Sequence, residues 1–296
     1  MEMNKVLVIG GANIDYICKS KTPLVYADSN IGTNLMSFGG VGRNICENLS
    51  RLGMKVTFLS SVGDDEFGKA LLENLEKNNI DTTYVVKNGV RTGSYIAFLD
   101  DKNDMYIAMC DNEAVNDLDA EYFKKQLSFI NSFEYVVIDS NVSDEALDYL
   151  LKNIKGKVFI DATSSAKAVK LKPYLEYISF LKCNIQEANA ILGTKNLKSH
   201  ELLIKFIELG IKQVVITSGT GPIYYNKENA IYTVDIIKVP QDLIKSTTGC
   251  GDAFMSGMIY GVVNNMTIHA CVNIAKKLAA KTIQVVQACN PNLSIE

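Results

Sequence analysis

The stretch TTGCGDA, Thr247 to Ala253, sets two glycines around a cysteine and directly before an aspartate. The residues that follow, FMSGMIYGVV, are apolar enough for a buried helix, so the glycines stand at a helix N-terminus, where backbone N–H groups lack partners. Such an end attracts anions. An aspartate there is either a plain cap or a carboxylate held beside a negatively charged group that has to be handled. A second cluster, FGGVGRN (Phe38 to Asn44), opens the first clear helical pattern. It fails as a dinucleotide fingerprint, because G-x-G-x-x-G would need glycine where Ile45 stands, and the earlier VIGGANID lacks the later glycines at the right spacing. A G-x-x-x-x-G-K-[ST] phosphate loop is absent as well. If the first cluster offers N–H groups and the Asn44 amide to neutral hydroxyls, and the second offers N–H groups to a phosphate, the chemistry is phosphoryl transfer to a polyol. Taken alone, either cluster also reads as a tight turn.

The elements that must position these loops follow a simple rhythm. KVLVIG, KVTFLSS, EYVVIDS, KVFIDA, ISFLKCN and QVVITSG read as strands apolar on both faces, as a covered parallel sheet requires. Amphipathic segments lie between them: Ile45, Leu49 and Leu52 recur at helical spacing before Gly53 as a terminator, and Phe67, Leu71 and Leu75 repeat it. Alternation of this kind predicts a doubly wound α/β fold, a mostly parallel sheet flanked by helices, as one domain over residues 1–296. Two regions break the rhythm. Ile14 to Phe38 has no helical period, and TGSYIAFLDDKNDMYIAMC (Thr92 to Cys110) reads as a hairpin. Strands inserted from about residues 14–38 and 92–112 are expected to form a small β-sheet, a lid over the site or a pairing surface for a second copy. An ordinary surface hairpin is the plainer alternative.

At 296 residues and 47% hydrophobic content the chain can bury a full core. Its 30 basic and 33 acidic residues are well mixed, which argues against a nucleic-acid surface and leaves small molecules as substrates. Seven scattered cysteines without a C-x-x-C pair, and only two histidines, give neither a disulfide framework nor a zinc site. The first apolar run is too short for a signal peptide, and no stretch reaches the ~18 apolar residues of a membrane span. A reduced, cytoplasmic protein is expected.

In order and in type, these segments resemble the ribokinase-like (PfkB) carbohydrate kinases. GGVGRNICENLSRLG is similar to that family's first signature and TTGCGDAFMSG to its second. KCNIQEANAIL resembles its N-x-x-E element, here Asn184 and Glu187, and TSGTGP (Thr217 to Pro222) its nucleotide loop. The four motifs span nearly the whole chain. Within the family, YADSN, TGSYIAFLD, DLDAEYF and NPNLSI are similar to a member that acts on a nucleoside rather than on free ribose. Cys250 stands where the family usually has alanine, a small-for-small change. Cys183 replaces a proline often found before the N-x-x-E asparagine. Ser246 stands where many members have aspartate near a monovalent cation site, which weakens the expectation of potassium (K+) activation.

The resemblance implies an ATP-dependent phosphotransferase. The N–H groups of Gly249, Cys250 and Gly251 would form an anion hole, and Asp252 would accept the proton of a primary hydroxyl, the 5′-OH of a nucleoside. Asn184 and Glu187, one helical turn apart, would order a hydrated Mg2+ on the nucleotide phosphates; N-x-x-E also fits a capping box. Asn13 and Asp15 would pair with vicinal hydroxyls of the substrate, with Gly40, Gly42 and Asn44 closing the same pocket. Asp111, Asn112 and Asn141 are further candidates for base or ribose contacts and read equally as turn residues. Thr217, Gly219 and Gly221 would lie over ATP, the helix from about Thr267 to Val286 would wall the adenine, and Arg43 is expected to be a surface cation. The rival readings are a ribokinase, a fructokinase-like enzyme or another nucleoside kinase on the same fold, a non-catalytic nucleoside-binding relative, and an NAD-dependent oxidoreductase, which the failed fingerprint opposes. A homodimer paired through the lid would cover open sheet edges.

Overall fold

The run Val6-Leu7-Val8-Ile9 commits Lys5–Ile9 to strand β1, whose four apolar side chains are fully buried, Leu7 and Ile9 in one core and Val6 and Val8 in another. In this computed structural model, residues 5–88, 91–102 and 104–296 are described. The first four residues and Gly89, Val90 and Asn103 lie outside them, so the start of the chain and part of the expected hairpin turn are not covered.

After β1 the chain leaves the main sheet as β2 (Asn13–Ser20) and β3 (Gly32–Gly39) and turns into α1 (Val41–Arg51). It re-enters with β4 (Lys55–Gly63), α2 (Glu66–Lys77) and β5 (Ile80–Asn88), then departs again as β6 (Gly93–Leu99) and β7 (Met105–Asp111). Regular alternation follows: α3 (Ala120–Ile130), β8 (Tyr135–Asp139), α4 (Asp144–Asn153), β9 (Lys157–Asp161), a short α5 (Ser165–Ala168), β10 (Phe180–Asn184), α6 (Ile185–Leu192), α7 (Ser199–Glu208) and β11 (Val214–Thr217). An edge pair, β12 (Ile223–Lys227) and β13 (Ala230–Val234), precedes α8 (Cys250–Val263) and α9 (Ile268–Thr282).

Among the described residues, nine strands form one sheet in the order β13-β12-β11-β10-β9-β8-β1-β4-β5, parallel from β11 to β5 and antiparallel at β12 and β13. Helices α3, α4, α6 and α7 bury their apolar stripes on one face, and α1, α2, α8 and α9 on the other. The four excursion strands make a separate sheet in the order β3-β2-β6-β7, with β2 and β6 parallel and the outer pairs antiparallel. The doubly wound sheet and the small second sheet expected from the sequence are therefore both present.

Two local expectations are corrected. Phe67 is 44% exposed, because the buried stripe of α2 runs through Gly68, Leu71, Leu72 and Leu75. Arg43 is not a surface cation: it is buried, pairs with Glu47, and donates to Asn74 Oδ1 (2.6 Å), Asn44 Oδ1 (3.0 Å) and the Phe38 carbonyl (3.3 Å).

Candidate active site

The carboxyl ends of the central strands lie side by side, the place where open α/β sheets bind ligands. Register carries the row across the sheet: Ile9 beside Ile138, Asp139 beside Asp161, Asp161 beside Lys182, and Asn184 beside Thr217. The start of α8 is built over this row. Gly249 caps the helix at φ 80°, where its missing side chain is required: a Cβ would come within 1.8 Å of the Ala288 carbonyl oxygen. Of the three N–H groups expected in the anion hole, that of Cys250 is taken by the Thr247 carbonyl at 3.3 Å, whereas those of Gly249 and Gly251, and with them that of Asp252, have no hydrogen-bond partner among the described residues.

The Asp252 side chain belongs to the first turn of α8 and is buried. Burial, helped by the nearby charge of Asp161, pushes its carboxyl up to about 7, against the opposing pull of the Asn44 hydrogen bond and the Lys182 ammonium. Asn44 Nδ2 donates to Asp252 Oδ2 at 2.8 Å, so the helix-start asparagine of the first glycine cluster and the aspartate of the second meet across 208 positions of sequence. A carboxylate so tuned, next to free N–H donors, suits removal of an alcohol proton while negative charge gathers beside it.

The first glycine cluster is occupied differently. Gly40, at φ 93°, packs on Gly11, whose carbonyl oxygen a Cβ would approach within 2.5 Å. Asp139, fully buried at the end of β8, accepts the Gly42 N–H (2.8 Å) and the Gly11 N–H (2.9 Å) on Oδ2, and the Asn141 N–H (2.9 Å) on Oδ1. Gly42 thus turns its donor inward, to a protein carboxylate.

Around this floor the small sheet roots its strands: β2 starts at Asn13, in register with Gly39 at the end of β3 and Gly93 at the start of β6. Asn13 and Asp15 are buried there, and Asp15 Oδ1 is shielded from solvent with no hydrogen-bond partner. Burial pushes Asp15 up to about 7, opposed by Arg43. An orphaned carboxyl oxygen beside a second polar side chain is the pattern a diol hydroxyl would satisfy. Farther out, the Asn112 and Asn141 side chains meet at 2.8 Å, and the Lys167 ammonium donates to Asn141 Oδ1 at 2.5 Å. Asp111 is instead tied to Arg91 at 2.6 Å on the surface.

Toward β11, Asn184 and Glu187 form a reciprocal capping box: Asn184 Oδ1 accepts the Glu187 N–H, and Glu187 Oε2 accepts the Asn184 N–H, each at 2.8 Å. Burial raises the Glu187 carboxyl, opposed by Lys182. Among the described residues no three His, Cys, Asp or Glu side chains gather into a metal cage. Mg2+ needs none, since it is held by one or two carboxylates, waters and substrate phosphates. The second oxygen of Glu187, at the row's edge, fits that limited role. Thr217 lies in register with Asn184, followed by Gly219 at φ 62° and Gly221, whose N–H returns to the Ser218 carbonyl at 3.0 Å. The structure thus brings Asn13, Asp15 and Asn44 toward one end of the row and Asn184, Glu187 and the Thr217 loop to the other, with the start of α8 between and its Asp252 bonded to Asn44.

Sequence reading passed over three charged residues at the same strand ends: Asp139, Asp161 and Lys182, whose Nζ donates to Asp161 Oδ2 at 3.1 Å. Their signal was available. Both aspartates end apolar strands as Ile-Asp, and a lysine inside ISFLKCN contradicts a strand covered on both faces.

The pfkB family carbohydrate kinase model matches residues 3–295. The chain is 34% identical to the pseudouridine kinase of Escherichia coli, over 99% of this chain and 95% of that protein. It is 23% identical to the guanosine-inosine kinase of Exiguobacterium acetylicum, over 95% of each. In fold it is similar to the ribokinase of Thermotoga maritima, with a TM-score of 0.83 at 20% identity, over 97% of this chain and 94% of that one.

Proposed function

The chain belongs to the pfkB family of carbohydrate kinases, and from that premise we propose that it transfers the γ-phosphoryl group of ATP to the 5′-hydroxyl of pseudouridine. The observation that carries the reading is the start of α8, where Gly251 and Asp252 hold unpaired N–H groups next to a buried carboxylate bonded to Asn44. Transfer forms a bond from the acceptor oxygen to the γ-phosphorus and breaks the bond to the β–γ bridging oxygen. ADP leaves with that oxygen and its electron pair, and the hydroxyl proton passes to Asp252. Such a transition state is loose, so the chain's task is to position the two oxygens and to set donors around the developing charge. Asn13 and Asp15 orient the ribose hydroxyls, Asn44 aims the Asp252 carboxylate, and Asn112, Asn141 and Lys167 stand where a base edge would be read. Thr217, Gly219 and Gly221 cover the nucleotide. Mg2+, which neutralises phosphate charge when bound, would be ordered by Asn184 and Glu187 through water.

The choice of pseudouridine rests on the 34% identity to an enzyme of that name. A ribokinase-type or purine nucleoside acceptor is the second reading, favoured by a guanosine-inosine kinase and a ribokinase that each match 95% of the chain. ATP consumption with Mg2+, measured at equal concentrations of pseudouridine, uridine, ribose, fructose and adenosine, separates them. A strong preference for pseudouridine is expected; preference for a free sugar would keep the fold and the transfer site and overturn the acceptor.

The outer edge of the small sheet supports a second proposal of assembly. Met105, Tyr106, Ile107 and Met109 on β7 are 56–71% exposed, an apolar edge that a second copy's lid would cover. Light scattering should give a dimer mass, and a monomer at working concentration would contradict it.

A further inference from the structure

The kinase reading leaves Lys182 without a task. The residue is 7% exposed on a strand covered from both sides, a rare setting for an ammonium. Its partner Asp161 holds Nζ at 3.1 Å. A buried ion pair by itself says little, because replacing such a pair with apolar groups is often neutral. Its position says more. Nζ lies against the open turn of α8, so close that a Cβ on residue 251 would meet it at 2.9 Å. The Gly251 N–H on that turn is among the donors left free. Three carboxylates, Asp161, Glu187 and Asp252, act on this ammonium. A phosphate arriving among them would meet net negative charge unless the cation turned toward it.

Resting on the kinase reading, we propose that Lys182 is a catalytic residue of the transfer: its ammonium, held in place by Asp161, contacts the γ-phosphoryl oxygens as that group moves from ATP to the acceptor. Lys182 keeps its own protons throughout. It supplies charge and N–H donors beside Gly251, while the acceptor proton goes to Asp252 and the bridging oxygen leaves with ADP. A lysine suits the role, being a compact charge with rotatable donors that can serve Asp161 and a passing phosphoryl group in turn. The absent side chain at Gly251 is then what lets the ammonium reach the helix start.

The test uses Lys182→Met, the double variant Lys182→Met/Asp161→Asn, and Asp161→Asn. The single methionine variant strands a buried carboxylate and should lose stability; the double variant removes both charges and should regain it. In the double variant kcat should remain about 10² to 10³-fold below wild type, the range for losing one donor to a developing oxyanion. KM for the acceptor should hold within about twofold, since the lost contact is made in the transition state. Asp161→Asn, which keeps the ammonium, should lose roughly tenfold less than the double variant. A double variant with wild-type kcat would overturn the proposal and reduce Lys182 to a counter-ion. Calorimetry with the β,γ-imido analogue of ATP against ADP gives a second readout that needs no turnover. The wild type should prefer the triphosphate analogue and the double variant should lose that preference; an unchanged preference would overturn the assignment. If the wild type binds nucleotide but phosphorylates none of the five acceptors, the acceptor reading fails and the calorimetry still decides on Lys182. If it binds neither nucleotide, both fall.

Discussion

Helices α1 and α8 begin alike and are used differently. Both start after a glycine with positive φ, Gly40 and Gly249, and neither has a side-chain cap. At α1 the donors of Gly42, Arg43 and Asn44 are taken, by Asp139, by the Gly11 carbonyl at 3.2 Å and by the Gly40 carbonyl at 2.8 Å, which leaves Val41 as the one N–H of that turn without a partner among the described residues. At α8 the N–H groups of Gly251 and Asp252 stay free among the described residues. A helix N-terminus is an anion site only if the protein has not already filled it. At α1 the anion is Asp139, part of the chain, which ties two glycine loops together; at α8 no side chain caps the helix, and we propose that a phosphate fills the place.

The contrast can be broken at either glycine. Gly249→Ala puts a methyl into the Ala288 carbonyl and a side chain at φ 80°, so the open donors must move; kcat should fall by at least about 10²-fold, as when an oxyanion donor is lost. Gly40→Ala, pressed on Gly11, should act first on stability and on acceptor KM. Next in size is the α1 scaffold. Arg43→Met removes one of the two cations on buried Glu47 while Arg51 stays paired with it, and should cost about 2 kcal/mol in chemical denaturation, the range for losing a hydrogen bond to a charged group. It leaves the α8 donors in place, so kcat should change far less than in Gly249→Ala.

A smaller effect is expected in pH dependence. Asp252 must be a carboxylate to accept a proton, and burial pushes it up to about 7, so kcat/KM should rise with pH and level off above about 7. The Asn44 hydrogen bond lowers that value, and Asn44→Leu should therefore shift the rising limb to higher pH. A limb that does not move would detach Asn44 from the base. The smallest change is expected for Cys250→Ala. Burial pushes the thiol up to about 12, which leaves it without nucleophilic character at neutral pH, so the variant should keep kcat and the wild type should resist alkylation at pH 7.

The strands, the second sheet and the α8 site were legible in the sequence because each depends on local pattern: double-sided apolar runs, a lost helical period, glycines before an aspartate. What was hidden depends on distant partners. Asp139 acquires its meaning from Gly42 and Gly11, which lie 97 and 128 residues away. Arg43 reads as a solvated cation until Asn74, 31 residues on, folds against it. Lys182 reads as no more than part of a strand, although its charge within an apolar run is the anomaly. Spacing alone could not tell that one glycine cluster was already filled from within.

The most direct test compares Asp252→Asn with Asp139→Asn, one carboxyl-to-amide change at each helix start, by kcat and thermal midpoint together. For Asp252→Asn, kcat should fall roughly 10² to 10⁴-fold with the midpoint nearly unchanged, because a general base is lost and the fold is not. For Asp139→Asn, a buried amide set against two N–H donors should cost about 1–3 kcal/mol of stability and lower the midpoint. Near-wild-type turnover in Asp252→Asn would contradict the assignment of α8 as the phosphoryl-transfer end.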